Sequence, residues 1–137
     1  DPATKRREYP EVSFAVIGAL ARGLMGIEPD ARDGSVATLP RLPGDLARAE
    51  MRNVPVLKTV VSVAHEGRTR TVFKNTGRAT VVWKAAFRGR CKTLVIDGRP
   101  EPCTLERGED GGERSFVRLT VAPGRTAEAS AAAGTSR

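Results

Sequence analysis

The sequence predicts a mainly β protein, an antiparallel β-sandwich preceded by one buried α-helix. Three observations carry that expectation. Residues 12–27 are apolar with Arg22 as their only charge. From residue 57 onward the apolar period drops to two, the spacing of a strand with one buried face. Between these short runs, turns bearing glycine recur about every ten residues, as in antiparallel sandwiches.

The elements follow in order. Residues 1–8, "DPATKRRE", are polar and read as a linker to something upstream. Pro10 suits a first helical turn, where its missing N–H costs nothing. The helix is expected over about residues 10–26, with Gly26 as its C-terminal stop. "EPDARDGS" is turn-rich, and "VATLPRLP" reads as a short strand ended by prolines. "GDLARAEMRNVPV" suggests a short helical turn and then a strand near residues 51–54. In "LKTVVSVAH", Leu57, Thr59, Val61 and Val63 face one way; "EGR" turns and "TRTVFKN" returns. "TGR" turns again, and "ATVVWKAAF" aligns Val81, Trp83, Ala85 and Phe87, which makes Trp83 a core residue. "TLVIDG" and "SFVRLTVAPG" add two strands, for a total of roughly seven to nine. "GEDGGE" reads as a flexible hairpin tip without the ligand spacing of a calcium loop.

The domain division expected is a linker and last helix at 1–27, a sandwich at 28–126, and a disordered tail at 127–137. The tail, "AEASAAAGTSR", is small and polar.

Composition narrows the function. The chain has 137 residues, enough for one domain with a modest core. Residues 12–27 are too few to cross a bilayer and carry Arg22. The chain opens on Asp1 with no signal-peptide pattern, so it reads as a fragment of a longer protein. The net charge of +7 comes mostly from arginines, but they are scattered rather than interleaved with aromatics. A nucleic-acid partner is therefore not expected. His65 is the lone histidine, so neither a metal nor a cofactor is expected. It ends a strand beside "EG" and reads as a solvated turn residue. Ser13 lacks the context of a nucleophile. Cys91 and Cys103 bracket "CKTLVIDGRPEPC"; a disulfide and a pair of buried thiols both fit.

The apolar helix raises the question of its partners. Val12, Val16, Leu20 and Leu24 line one side, while Phe14, Ile17 and Met25 occupy others. A helix apolar all round belongs inside a larger helical assembly. Gly18, Ala19, Ala21 and Gly23 would let its neighbours approach closely.

"EVSFAVIGALARGLMGIEPD", "LPRLPGDLARAEMRNVPV" and "VSVAHEGRTRTVFKNTG", in that order, resemble the C-terminal end of bacterial six-hairpin glycosidases. The resemblance spans about residues 8–125 and implies that the helix closes an upstream (α/α)6 barrel before the chain enters a small β-sandwich. It implies a carbohydrate substrate and an upstream catalytic chain or domain as partners. Glycoside hydrolysis uses two carboxyl groups across the scissile bond. Glu11, ahead of Glu8, is the carboxylate placed to match the family's general base, although the aromatic-rich motif around that base is missing. A first-turn carboxylate favoured by the helix dipole is the plainer reading of Glu11. Tyr9 could stack on a sugar or simply pack before the helix. The second carboxyl would lie outside this chain. A stand-alone carbohydrate-binding or interaction sandwich is the alternative function.

Overall fold

The computed structural model describes residues 22–131 of the chain. Eleven strands form two sheets: β1 (Glu28–Asp30), β2 (Ser35–Thr38), β3 (Arg48–Val56), β4 (Thr59–Glu66), β5 (Arg70–Asn75), β6 (Val81–Arg88), β7 (Thr93–Ile96), β8 (Arg99–Pro102), β9 (Thr104–Arg107), β10 (Glu113–Val121) and β11 (Thr126–Ala131). One sheet has the order β1-β2-β6-β10-β9 and the other β3-β4-β5-β11-β7-β8. Neighbours are antiparallel except β2 and β6, which run parallel with Val36 opposite Trp83.

The core lies between the sheets. Alternation along β4 and β6 buries Val61, Val63, Val81, Trp83, Ala85 and Phe87, as period two requires. Phe73 of β5 stacks on Trp83 of β6, with ring centroids 4.8 Å apart and an interplanar angle of 11°. One sheet thereby grips the other through their two largest buried side chains. Trp83 Nε1 donates to Thr38 Oγ1 at 2.8 Å, so the indole is buried without an orphan donor.

The edges are blunted. Pro100 and Pro102 lie on β8, an outer strand, and remove donors from the exposed ladder. At the opposite edge β3 carries Arg48, Glu50 and Arg52 and a register shift between Met51 and Val54. Asn53, within that bulge, adopts a φ of 56°.

Several expectations need correction. Residues 126–131 are not tail: β11 pairs with β5 on one side and β7 on the other. Ala127 and Ala129 are buried beneath the sheet, while Glu128 points out to Arg70 at 2.7 Å. Small residues are what an interior strand needs when large rings fill the opposite face. The sandwich therefore extends to Ala131; residues 132–137 lie outside the described residues. Strand β3 begins at Arg48; before it lies one hydrogen-bonded turn, closed by the Leu46 N–H on Pro43 O at 3.0 Å, and no helix. Leu57 does not join the inward row; it sits in the β3–β4 turn, 41% exposed with a φ of 54°. The tip at residues 108–112 is organised by Asp110, whose Oδ1 accepts from the Gly112 N–H and whose Oδ2 pairs with Arg88.

The helix expected over 10–26 lies mostly outside the described residues. Within them, Arg22 and Gly23 are helical and the chain leaves that conformation at Leu24.

Candidate functional site

The segment leaving the helix is built into one end of the sandwich. Met25 and Ile27 are 1% and 3% exposed and belong to the core cluster. Gly26 between them takes a φ of 59°, and a Cβ there would stand 2.2 Å from the Leu39 carbonyl oxygen. Only glycine fits so close a crossing in the left-handed region. Sequence reading assigned Gly26 as a helix stop; its observed role is to let two backbones touch.

Four donors meet the carbonyls of this segment. The Leu39 N–H reaches Met25 O at 3.3 Å and the Arg41 N–H reaches Leu24 O at 3.0 Å. Arg41 Nη1 donates to Arg22 O at 3.3 Å. His65 Nε2 lies 2.9 Å from Met25 O, and its Nδ1 lies 2.8 Å from Thr71 Oγ1. A carbonyl can only accept, so the neutral ring carries its proton on Nε2 and accepts the Thr71 hydroxyl at Nδ1. His65 is fully buried, which corrects the solvated-turn expectation. Burial pushes its pKa below the ordinary histidine value, partly offset by the Met25 carbonyl. Strand alternation put His65 on the same face as Val61 and Val63, and that was the overlooked signal.

Asn75, in the segment "KNTG", closes the opposite end. Its Oδ1 accepts from Thr59 Oγ1 at 2.7 Å and from the Gly77 N–H at 3.1 Å. Its Nδ2 donates to Ala79 O at 2.7 Å and to Val121 O at 3.0 Å. All four side-chain positions are used, which suits a structural hub rather than a reactive group.

The outer face of the first sheet carries a polar groove of about 430 Å³ lined in part by Glu28, Asp30, Ser35, Lys84 and Arg118. Its cations are already engaged. Lys84 pairs with Glu106 at 2.8 Å, Arg32 with Asp30 at 3.3 Å, and Arg118 with Asp33 at 2.9 Å. Hydrogen bonds from Ser35 and Arg118 hold the Asp33 carboxyl below its usual pKa. Lys84 Nζ also lies 4.3 Å over the Phe116 ring, covering the one aromatic of this face. Phe73, Trp83 and Phe87 are buried, so among the described residues no open aromatic platform faces outward.

Cys91 is buried and Cys103 half-buried. The Cys103 thiol lies 2.6 Å from Cys91 O. Ser115 Oγ accepts the Cys91 N–H at 2.9 Å and donates to Gly89 O at 2.8 Å. Burial, the largest cause, pushes the Cys103 thiol pKa up. The two cysteines lie close together.

The chain matches no family model, no curated protein and no solved structure. Tyr9 and Glu11, the residues assigned to substrate and catalysis, lie outside the described residues, as do Glu8 and Ser13. Among the described residues no three His, Cys, Asp or Glu side chains cluster as metal ligands, and no helix is long and apolar enough to cross a membrane.

Proposed function

We propose that this chain is the C-terminal structural portion of a glycoside hydrolase acting on oligo- or polysaccharides. It would cap the catalytic barrel and be inactive alone. The glycosidase part of this reading rests on the ordered segments around "GIEPD", "LPRLP" and "KNTG" in the sequence. One structural observation supports the capping part: Met25 and Ile27, at the end of the apolar segment, are built into the sandwich core. Burial of that kind fixes residues 24–27, where the chain enters the sandwich.

That fixed point has a mechanistic use. A carboxylate acting as general base must be held to within fractions of an ångström of its water or sugar. Anchoring the far end of its helix in a rigid sandwich would serve that need. A stand-alone carbohydrate-binding module draws less support, because Lys84 covers Phe116 and the other described rings are buried.

The test is the release of reducing sugar by the longer protein containing this chain, against a panel of α- and β-linked oligosaccharides. Hydrolysis by the longer protein and none by the 137-residue chain is expected. Glycan binding by the 137-residue chain, with no hydrolysis by the longer protein, would replace this reading with the binding module.

A further inference from the structure

Asn75 gathers three loops at its end of the sandwich, and each loop carries an exposed cation beside the gathered atom. Its Oδ1 accepts from Thr59 Oγ1 at 2.7 Å and from the Gly77 N–H at 3.1 Å, next to Lys58 and Arg78. Its N–H donates to Arg125 O at 3.0 Å, and its carbonyl accepts the Gly124 N–H at 2.8 Å. Lys74 precedes it on β5, opposite Thr126 of β11. Lys58, Lys74, Arg78 and Arg125 are all exposed. Among the described residues none of these four has an ion-pair partner, whereas Arg52, Arg70 and Lys84 on the sheet faces are paired with carboxylates. Residues 57–58, 76–80 and 122–125 contain no Asp or Glu. Asp97 lines a hollow of about 320 Å³ with Arg125, but its Oδ1 is occupied by the Glu128 N–H at 2.9 Å.

The tip of the first loop is apolar. Val56 pairs with Thr59, so the β3–β4 hairpin turns on two residues, Leu57 and Lys58. Such a turn needs a positive φ at its first position, which glycine or asparagine adopts readily. Leucine stands there instead, at a φ of 54° and 41% exposed, with Pro55 exposed just before it. On the β10–β11 loop Ala122 and Pro123 are exposed close to Arg125. Neither the left-handed backbone of Leu57 nor its side chain in water stabilises the sandwich. Strain of this kind points to a use outside the fold.

We propose that this end of the sandwich docks on an anionic lipid bilayer, with Leu57 entering the boundary between headgroups and acyl chains. Lys58, Lys74, Arg78 and Arg125 then face the headgroup anions. Basic side chains are drawn to an anionic leaflet, and an apolar side chain among them gains by leaving water. The combination favours a bilayer over other polyanions. Duplex DNA or an acidic glycan would use the cations but offers Leu57 no apolar phase. The surface lies at the opposite end of β4 from His65 and Met25, so docking leaves the entry of residues 24–27 uncovered. It does not depend on the glycosidase reading.

The test is co-sedimentation of the 137-residue chain with vesicles of equimolar phosphatidylcholine and phosphatidylserine, and with phosphatidylcholine alone. The chain should favour the anionic vesicles and lose that preference as salt is raised. Leu57→Asn suits the turn, so it should melt no lower than the parent while its partition onto anionic vesicles falls roughly tenfold. Lys58→Glu with Arg78→Glu should lower the partition by about tenfold or more. Parent and variants share residues 1–56, so a difference between them reports the loops. A parent left in the supernatant, or Leu57→Asn sedimenting as the parent does, would overturn the proposal. Binding to heparin or duplex DNA in place of the vesicles would overturn it as well. None of these measurements involves hydrolysis, so failure here leaves the glycosidase reading standing.

Discussion

His65 Nε2 meets the carbonyl oxygen of Met25 at 2.9 Å across 40 residues of sequence. The contact joins the C-terminal end of β4 to the segment that carries the chain into the sandwich, and it places a titratable ring where no charge is compensated. Thr71 is its other partner, and the charged side chains of the neighbourhood, Arg48, Glu66 and Arg70, are occupied with one another at the surface.

A pH dependence follows from that burial. Burial depresses the folded pKa below the unfolded value of about 6.5. Above about pH 6.5 both states are neutral and the stabilisation is complete; as pH falls further the unfolded chain takes up a proton that the folded chain resists. Stability should therefore decline from about pH 6.5 downward, before exposed carboxylates such as Glu113 begin to titrate. Urea midpoints between pH 8 and pH 5 would reveal it, and His65→Gln should flatten the slope in that window. An unchanged slope in the variant refutes the assignment.

Gly26 and Gly67 share nearly the same backbone conformation, with φ of 59° and 60°. Nothing lies within 4 Å of a Cβ at Gly67, whereas one at Gly26 collides with Leu39 O. Gly67→Ala should cost about 1 kcal/mol, the penalty of the left-handed region alone. Gly26→Ala adds a backbone clash and should cost about 3 kcal/mol or more. Thermal melts of the two variants compare them directly, and equal losses would show that the crossing at Leu39 relaxes freely.

Replacing Asn75 with alanine strands the Thr59 hydroxyl and the Val121 and Ala79 carbonyls at once. A loss of about 3 kcal/mol is expected, near the upper range for a buried polar hub. Chemical denaturation checks it; a loss under about 1 kcal/mol would mean water substitutes for the amide.

Ending the chain after Arg125 removes the strand between β5 and β7. Both ladders then lose their partner, and the truncated protein should lack the dispersed amide spectrum of a folded sheet. A folded spectrum would return residues 126–131 to the status of a tail.

The Cys103 thiol should be slow to alkylate, because burial raises its pKa and lowers its thiolate fraction near neutrality. Iodoacetamide at pH 8 should modify Cys103 roughly ten times more slowly in the native protein than in urea. Equal rates would place the thiol in open solvent.

Much of the sandwich was legible in local pattern. Alternation identified Val61, Val63, Val81, Trp83 and Phe87 as inward residues, because the pleat alternates faces whatever the partner strand is. The junction was half legible: Gly26 announced a helix end, yet nothing nearby in sequence foretold that Leu39 would press against it. His65 and Arg41 looked ordinary because their partners, Met25 and Arg22, lie 40 and 19 residues away. The same limit hid β11 and the parallel pairing of β2 with β6. Whether an alanine-rich stretch is a tail or an interior strand depends on whether two other strands leave a gap of its width. That is a property of the assembled sheets, where hydrogen-bond partners are chosen by space rather than by sequence neighbours.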